Sequence, residues 1–183
     1  MIIGDETGAV EYLKQGKIIA YPTEGVYGLG CDPYNKKSVK EIIKIKQRPS
    51  KKTFIIVTCS INQLEDIVDV SKITNEVLKS WPGAYTWLMP AKKNLPEWLI
   101  NKENGLIAVR VSNHETIKNI CIKFGKPIIS TSANINNKNN ITTENDIKKL
   151  FKSKIDYLVV GKIGKSKKPT TIKNMLTGEV IRK

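Results

Sequence analysis

Two short segments of this 183-residue chain carry residue types that can handle anions. The first is Lys46-Gln47-Arg48-Pro49-Ser50-Lys51-Lys52. Lys46 and Arg48 stand two apart where a helical pattern ends, and Lys52 follows four residues later. Both leading cations can converge on one anion as the backbone turns extended. Two or three cations at the mouth of a sheet suit a triphosphate, because charge neutralisation counts most in a partly dry cleft. The same letters also describe a solvated basic loop. The second segment is Ser130-Thr131-Ser132-Ala133-Asn134, which follows the extended Pro127-Ile128-Ile129. Small hydroxyls at a strand end can donate to phosphate oxygens, and Asn134 can donate and accept. An ordinary Ser/Thr/Asn turn is the plainer reading.

Other chemistries are excluded. His114 is the only histidine, so a Ser-His-Asp triad has no place, and its position in the first turn of a helix suits a capping or surface residue better than a base. Paired carboxylates are missing from the glycine- and serine-rich segments, which disfavours an acid/base hydrolase. Gly161-Lys162-Ile163-Gly164-Lys165-Ser166 looks like a phosphate loop, but Val159 occupies the place of its first glycine and Pro169 sits where a helix must follow. The glycines of residues 25–30, GVYGLG, have the wrong spacing for a dinucleotide fingerprint and mark close packing of backbone or ligand. Cys31, Cys59 and Cys121 are widely spaced, without a Cys-x-x-Cys pair, so no metal site is expected and the thiols are expected reduced.

These segments need a scaffold, and the apolar pattern supplies one. Strands are expected at 18–23, 25–30, 54–58, 85–89, 106–111, 127–134, 157–160 and 178–183. Helices are expected at 5–15, at 35–46 from either Asn35 or a Ser38/Glu41 capping box, and at 60–68 from Ser60. Two more are expected at 113–125, capped by Asn113 and stopped by Gly125, and at 143–151. Residues 134–143 read as a polar connector. Strands and helices interleave, which predicts an α/β or intermixed α+β fold with helices packed on a sheet. No repeat or linker divides the chain, so residues 1–183 are expected to form a single domain.

Composition agrees with a soluble protein: 40% apolar, 26% charged. No run approaches a membrane span and the N-terminus lacks the features of a signal peptide, so a cytoplasmic location is expected. The net charge is +14. Abundant Lys, Asn and Ile are what AT-rich coding produces, yet the excess also suits a polyanion partner. Residues 148–183 hold ten lysines and Arg182 against Asp156 and Glu179, nine of the fourteen charges. That tail is either a solvated face or a patch for RNA. Arginine is scarce, with only Arg48, Arg110 and Arg182. Where guanidinium stands amid so much lysine, its planar fork for carboxylate or phosphate is the feature to examine, which singles out Arg48 and Arg110.

Taken in order, YPTEGVYGLGCDP (21–33), Lys46-x-Arg48 in KQRP, WPG with its aromatic strand (81–88), AVRV with His114, Ser132-x-Asn134 and LTGEVIR (176–182) resemble the threonylcarbamoyl-adenylate synthase family of the YrdC/TsaC type over nearly the whole chain. The resemblance implies a twisted, mostly parallel or mixed sheet flanked by helices around a concave basic cavity. It implies a nucleotidyltransferase that combines L-threonine, bicarbonate and ATP into threonylcarbamoyl-AMP, releasing pyrophosphate, with Mg²⁺ carried by ATP. Partner transferase proteins would then modify the adenosine at position 37 of tRNA. The alternative is a non-catalytic module that binds tRNA or double-stranded RNA on the same basic surface.

Carried over by position, Lys46, Arg48 and Lys52 would meet ATP phosphates, with Lys46 and Arg48 the catalytic pair. Ser132, Asn134 and Thr170 would also hold ATP. Arg110 would clamp the threonine carboxylate, with Ser130, Thr23 and the backbone at Gly25 lining the pocket. The resemblance also shows departures: many relatives carry Thr at position 25, relatives often show Ser-Gly then proline after Asn134, and longer relatives show Glu-Ser-Thr where this chain has PTTI (169–172). The extra C-terminal domain of longer relatives is not expected here.

Overall fold

The computed structural model describes residues 1–47, 53–135, 139–166 and 170–182. Ten strands form one mixed sheet: β1 (Ile2–Gly4), β2 (Ile19–Pro22), β3 (Tyr27–Gly30), β4 (Ile55–Thr58), β5 (Tyr85–Pro90), β6 (Leu106–Val111), β7 (Ile128–Ser132), β8 (Tyr157–Val159), β9 (Thr171–Asn174) and β10 (Val180–Arg182). Their order across the sheet is β1-β8-β2-β3-β7-β4-β6-β5-β9-β10. β8 runs parallel to β1 and β2, β4 parallel to β6, and β5 parallel to β9, while β3 and β7 run against their neighbours. The expected intermixed α/β architecture is therefore present.

The helices start where side chains can satisfy the first free amides. Asp5 caps α1 (Glu6–Lys14), accepting from the Gly8 amide at 3.0 Å. Asn35, rather than the Ser38/Glu41 box, caps α2 (Lys36–Lys46), and Gln47 ends it in a left-handed turn at φ 49°. Thr74 caps α3 (Asn75–Ser80) and Thr143 caps α5 (Glu144–Phe151). At α4 (Glu115–Phe124) the cap position is His114, one residue beyond the expected Asn113; the Ser112 hydroxyl accepts its amide at 3.1 Å.

One expected helix is absent. Residues 60–68 form only a single 3-10 turn, Asn62–Leu64. The Gln63 side chain is drawn to the Thr58 hydroxyl and, at 2.9 Å, to the Cys121 carbonyl, and Val68 bridges to Ala91. Leu64, Ile67 and Val68 are nevertheless buried, as their spacing predicts. The segments β1, α3 and β9 were not foreseen in the sequence.

The sheet separates two apolar clusters. One holds α2 and α5 residues with Leu29, Ile56 and Val109; the other packs α1 and α4 on Ile19, Tyr21, Val57, Ile128 and Val159. Side chains alternate along a strand, so Arg110 in β6, Thr86 in β5 and Ser130 in β7 lie on the second face, with Tyr21. Gly28 and Gly30 leave room for the Tyr21 ring, since a Cβ at Gly30 would meet Tyr21 Cε1 at 2.9 Å and at Gly28 its Cζ at 3.3 Å. The glycine-rich strand accommodates a tyrosine of this chain.

Candidate functional site

Arg110 is the penultimate residue of a fully buried strand and is itself only 7% exposed. Its Nε donates to the Gly83 carbonyl at 2.8 Å, and its Nη2 forms an ion pair with Glu24 Oε1. The same Oε1 accepts from the Ser112 hydroxyl at 2.6 Å. Gly83 is fixed in turn, its amide donating to the Val111 carbonyl at 2.9 Å. Burial holds the guanidinium below the ordinary arginine range, and Glu24 opposes that shift; arginine still stays charged.

Around this pair lie polar atoms that are buried and lack hydrogen-bond partners. They are Glu24 Oε2, His114 Nδ1 and the Tyr21 hydroxyl. Ser130 faces the Tyr21 hydroxyl without completing a bond, and burial pushes that phenol's pKa up, so it stays protonated. Burial holds the His114 imidazole below its ordinary value of 6.5, against the pull of Glu24 and of the Lys162 carbonyl. The ring is therefore neutral at pH 7. Buried polar groups are nearly always paired, so several orphans in one neighbourhood mark a place where a ligand supplies the partners.

The turn after β2 closes over this neighbourhood. Thr23 donates its amide and hydroxyl to the Val26 carbonyl at 3.0 and 2.7 Å, so its hydroxyl proton is committed inside the turn. The Gly164 amide donates to Thr23 O and the Ser166 amide to Glu24 O, laying residues 164–166 along the turn. A Cβ at Gly25 would meet the Ser166 carbonyl oxygen at 2.3 Å. Only glycine allows this approach, which gives a physical reason for Gly25.

Lys46 closes a second arrangement at the end of β7. It is 4% exposed, and its ammonium donates to Ser132 O at 2.5 Å, Asn134 O at 2.8 Å and Asn134 Oδ1 at 2.9 Å. The Ser132 hydroxyl donates to the same Oδ1 at 2.7 Å. Lys46, Ser132 and Asn134 are thus brought together, a contact across 86 and 88 positions that their local spacing does not give. Thr170 meets the Thr86 hydroxyl at 3.1 Å, and Arg182 donates to its carbonyl and hydroxyl oxygens. Arg48 and Lys52 lie outside the described residues.

A hollow of about 550 Å³ opens elsewhere, between Tyr27, residues 142–145 and residues 161–163. Burial and the Glu144 carboxylate push the Tyr27 phenol up to about 12. None of the site residues expected from the sequence lines this hollow, and the Arg110 neighbourhood holds the more telling chemistry. Glu24, Ser112 and Tyr21 were missed in the sequence. A lone carboxylate in a turn reads as a solvated side chain, and only its place inside the 21–33 motif draws attention to it.

Residues 11–183 match the family model Sua5_yciO_yrdC, described as telomere recombination. Among curated proteins, threonylcarbamoyl-AMP synthase of Pseudoalteromonas translucida is 44% identical over 178 residues, covering 95% of both chains. The protein of that name from Coxiella burnetii is 40% identical, covering 95% of this chain and 94% of its own. Among solved structures, P. abyssi Sua5 complexed with L-threonine superposes with a TM-score of 0.89 at 27% identity. All of this chain is covered, but only 57% of that one. E. coli YciO gives a TM-score of 0.86 at 26% identity, covering 100% of this chain and 93% of its own.

Proposed function

The chain belongs to the Sua5/YciO/YrdC family, and on that premise we propose that it condenses L-threonine, bicarbonate and ATP into threonylcarbamoyl-AMP, with release of pyrophosphate. The observation that carries the reading is Arg110, a buried guanidinium on two protein acceptors amid polar atoms without partners. Threonine's carboxylate is the group its fork fits. Ser130, Thr23 and the backbone at Gly25 line the same pocket. Because the Thr23 proton is given to Val26 O, that hydroxyl serves the substrate as an acceptor.

The chemistry asks for positioning rather than for a strong base. Threonine's amine, in its neutral form, and bicarbonate form a carbamate with loss of water, and the carbamate oxygen attacks the α-phosphorus in line with departing pyrophosphate. Gathering anions in a concave basic cavity lowers their mutual repulsion and aligns them. Arg48, Lys52, Ser132, Asn134 and Thr170 serve the ATP side. Lys46 acts there by charge and by fixing Ser132 and Asn134, to whose oxygens it donates. Mg²⁺ enters with the triphosphate as part of the substrate; among the described residues no cluster of three His, Cys, Asp or Glu could hold a metal.

The product, a mixed anhydride, passes to transferase proteins that modify tRNA, in the cytoplasm, and the chain works as one domain. Among the described residues no helix is long and apolar enough to cross a membrane. Exposed Lys162 and Lys165 in the basic tail favour RNA binding as an additional role. Incubation with ATP, Mg²⁺, bicarbonate and threonine, followed by mass spectrometry, tests the reaction. Threonylcarbamoyl-AMP should form only when all are present. RNA retention without that product would leave the binding role alone.

A further inference from the structure

We propose that Glu24 is the residue that recognises the substrate's ammonium group, so that Glu24 and Arg110 together form a receptor for an amino-acid zwitterion. The proposal rests on the activity assigned above. Glu24 Oε1 is occupied twice, by the Ser112 hydroxyl and by Arg110. Oε2 is buried with no partner, although the side chain as a whole is 23% exposed. An unpaired buried carboxylate oxygen is costly, and a ligand that donates to it removes the cost.

The ion pair itself is weak as a stability device. A buried pair loses about as much in desolvation as it gains in attraction, and apolar residues of similar size serve folding as well or better. Its presence between the turn after β2 and β6 therefore calls for another reason. Charge supplies it. Of threonine, bicarbonate and ATP, the only cationic group at neutral pH is the threonine ammonium, and Glu24 repels the rest. A guanidinium for the carboxylate beside a carboxylate for the ammonium matches both ends of one molecule.

Glu24 is also held still. Ser166 N donates to its carbonyl at 2.9 Å, Gly164 N to Thr23 O at 2.8 Å, and the close approach at Gly25 locks these strands of backbone together. The oxygen left over is thus fixed rather than free to swing into solvent. The other buried orphans nearby, the Tyr21 hydroxyl and the neutral His114 ring, carry no charge to compete for it.

The test compares L-threonine with 3-hydroxybutyrate, which is threonine without its amine, by titration calorimetry. The wild-type protein should prefer threonine about ten- to a hundredfold, the range for a charge-assisted hydrogen bond. Glu24→Gln should lose most of that preference while 3-hydroxybutyrate and ATP bind within about threefold of wild type. A merely structural Glu24 would weaken both acids alike and keep the preference, which overturns the proposal. Should the glutamine variant not fold, Glu24→Asp and the wild type decide. A wild type indifferent to the amine, or an aspartate variant weakened equally for both acids, overturns it; a preference narrowed in Glu24→Asp supports it. A wild type that binds no threonine at all removes the activity reading instead.

Discussion

Lys46 and Arg110 are both buried cations close to the expected site, and they are held in opposite ways. Lys46 donates to two main-chain carbonyls and one side-chain amide of residues 132–134. Arg110 gives Nε to one carbonyl and faces a carboxylate that it shares with a serine, and the second oxygen of that carboxylate has no partner. The lysine braces the end of β7; the arginine stands beside a buried carboxylate oxygen that the protein leaves without a partner. A cation's usefulness to a ligand thus depends less on its charge than on how many of its directions the protein has already claimed.

Replacement of Lys46 by alanine should have the largest effect. It leaves buried acceptors at the end of β7 unpaired, each costing about 1–3 kcal/mol. Threonylcarbamoyl-AMP formation should fall at least about a hundredfold, together with the melting temperature. Loss of product with an unchanged Tm would erase the contrast, since Lys46 would then act on phosphate alone. Arg110→Lys should come next, raising the threonine KM about ten- to a hundredfold, because a lysine offers no planar fork. The ATP KM should stay within about twofold. If both constants rise together, Arg110 belongs with the architecture.

Gly25→Thr should be milder, because its new side chain displaces residues 164–166 from the turn. A destabilisation of about 1–3 kcal/mol in urea unfolding is expected, the usual cost of overpacking; a more stable variant would show that the close approach is not maintained. The smallest effect concerns His114, which Glu24, Arg110 and Glu115 face together with the Lys162 carbonyl. Its folded pKa lies below 6.5, so the folded protein binds fewer protons than the unfolded chain in that window. Stability is full above pH 6.5 and declines as pH falls through the folded value. His114→Asn should lose less stability than wild type between pH 7 and pH 5; an identical decline would place the acid sensitivity elsewhere.

Much of this arrangement was legible before any coordinates. Leu106–Val111 reads as a strand because six apolar-rich residues run without a breaker, and all six are buried. Asn35, Thr143 and Gly125 act as helix boundaries because their side chains or lack of one meet local demands. The missed elements lack such signals. β1 is three residues at an edge, two of them exposed, and β9 is half-buried at every position, so neither shows alternation. The helix expected at 60–68 failed because the Gln63 side chain serves contacts to Thr58 and Cys121 that no local pattern records. Lys46 and Arg110 were identifiable by type, but their partners lie 27 to 88 residues away. Distances of that kind belong to the sheet, not to the motif.

Those separations have a consequence for truncation. Ser112 meets Glu24 across 88 positions, Lys46 reaches Asn134 across 88, and Tyr27 donates to the Gly161 carbonyl across 134. Each such contact closes a long loop, whose entropic cost the rest of the fold must offset. A chain cut before residue 161 therefore lacks the acceptor of the Tyr27 hydroxyl and the 164–166 segment that lies along the Thr23–Glu24 turn.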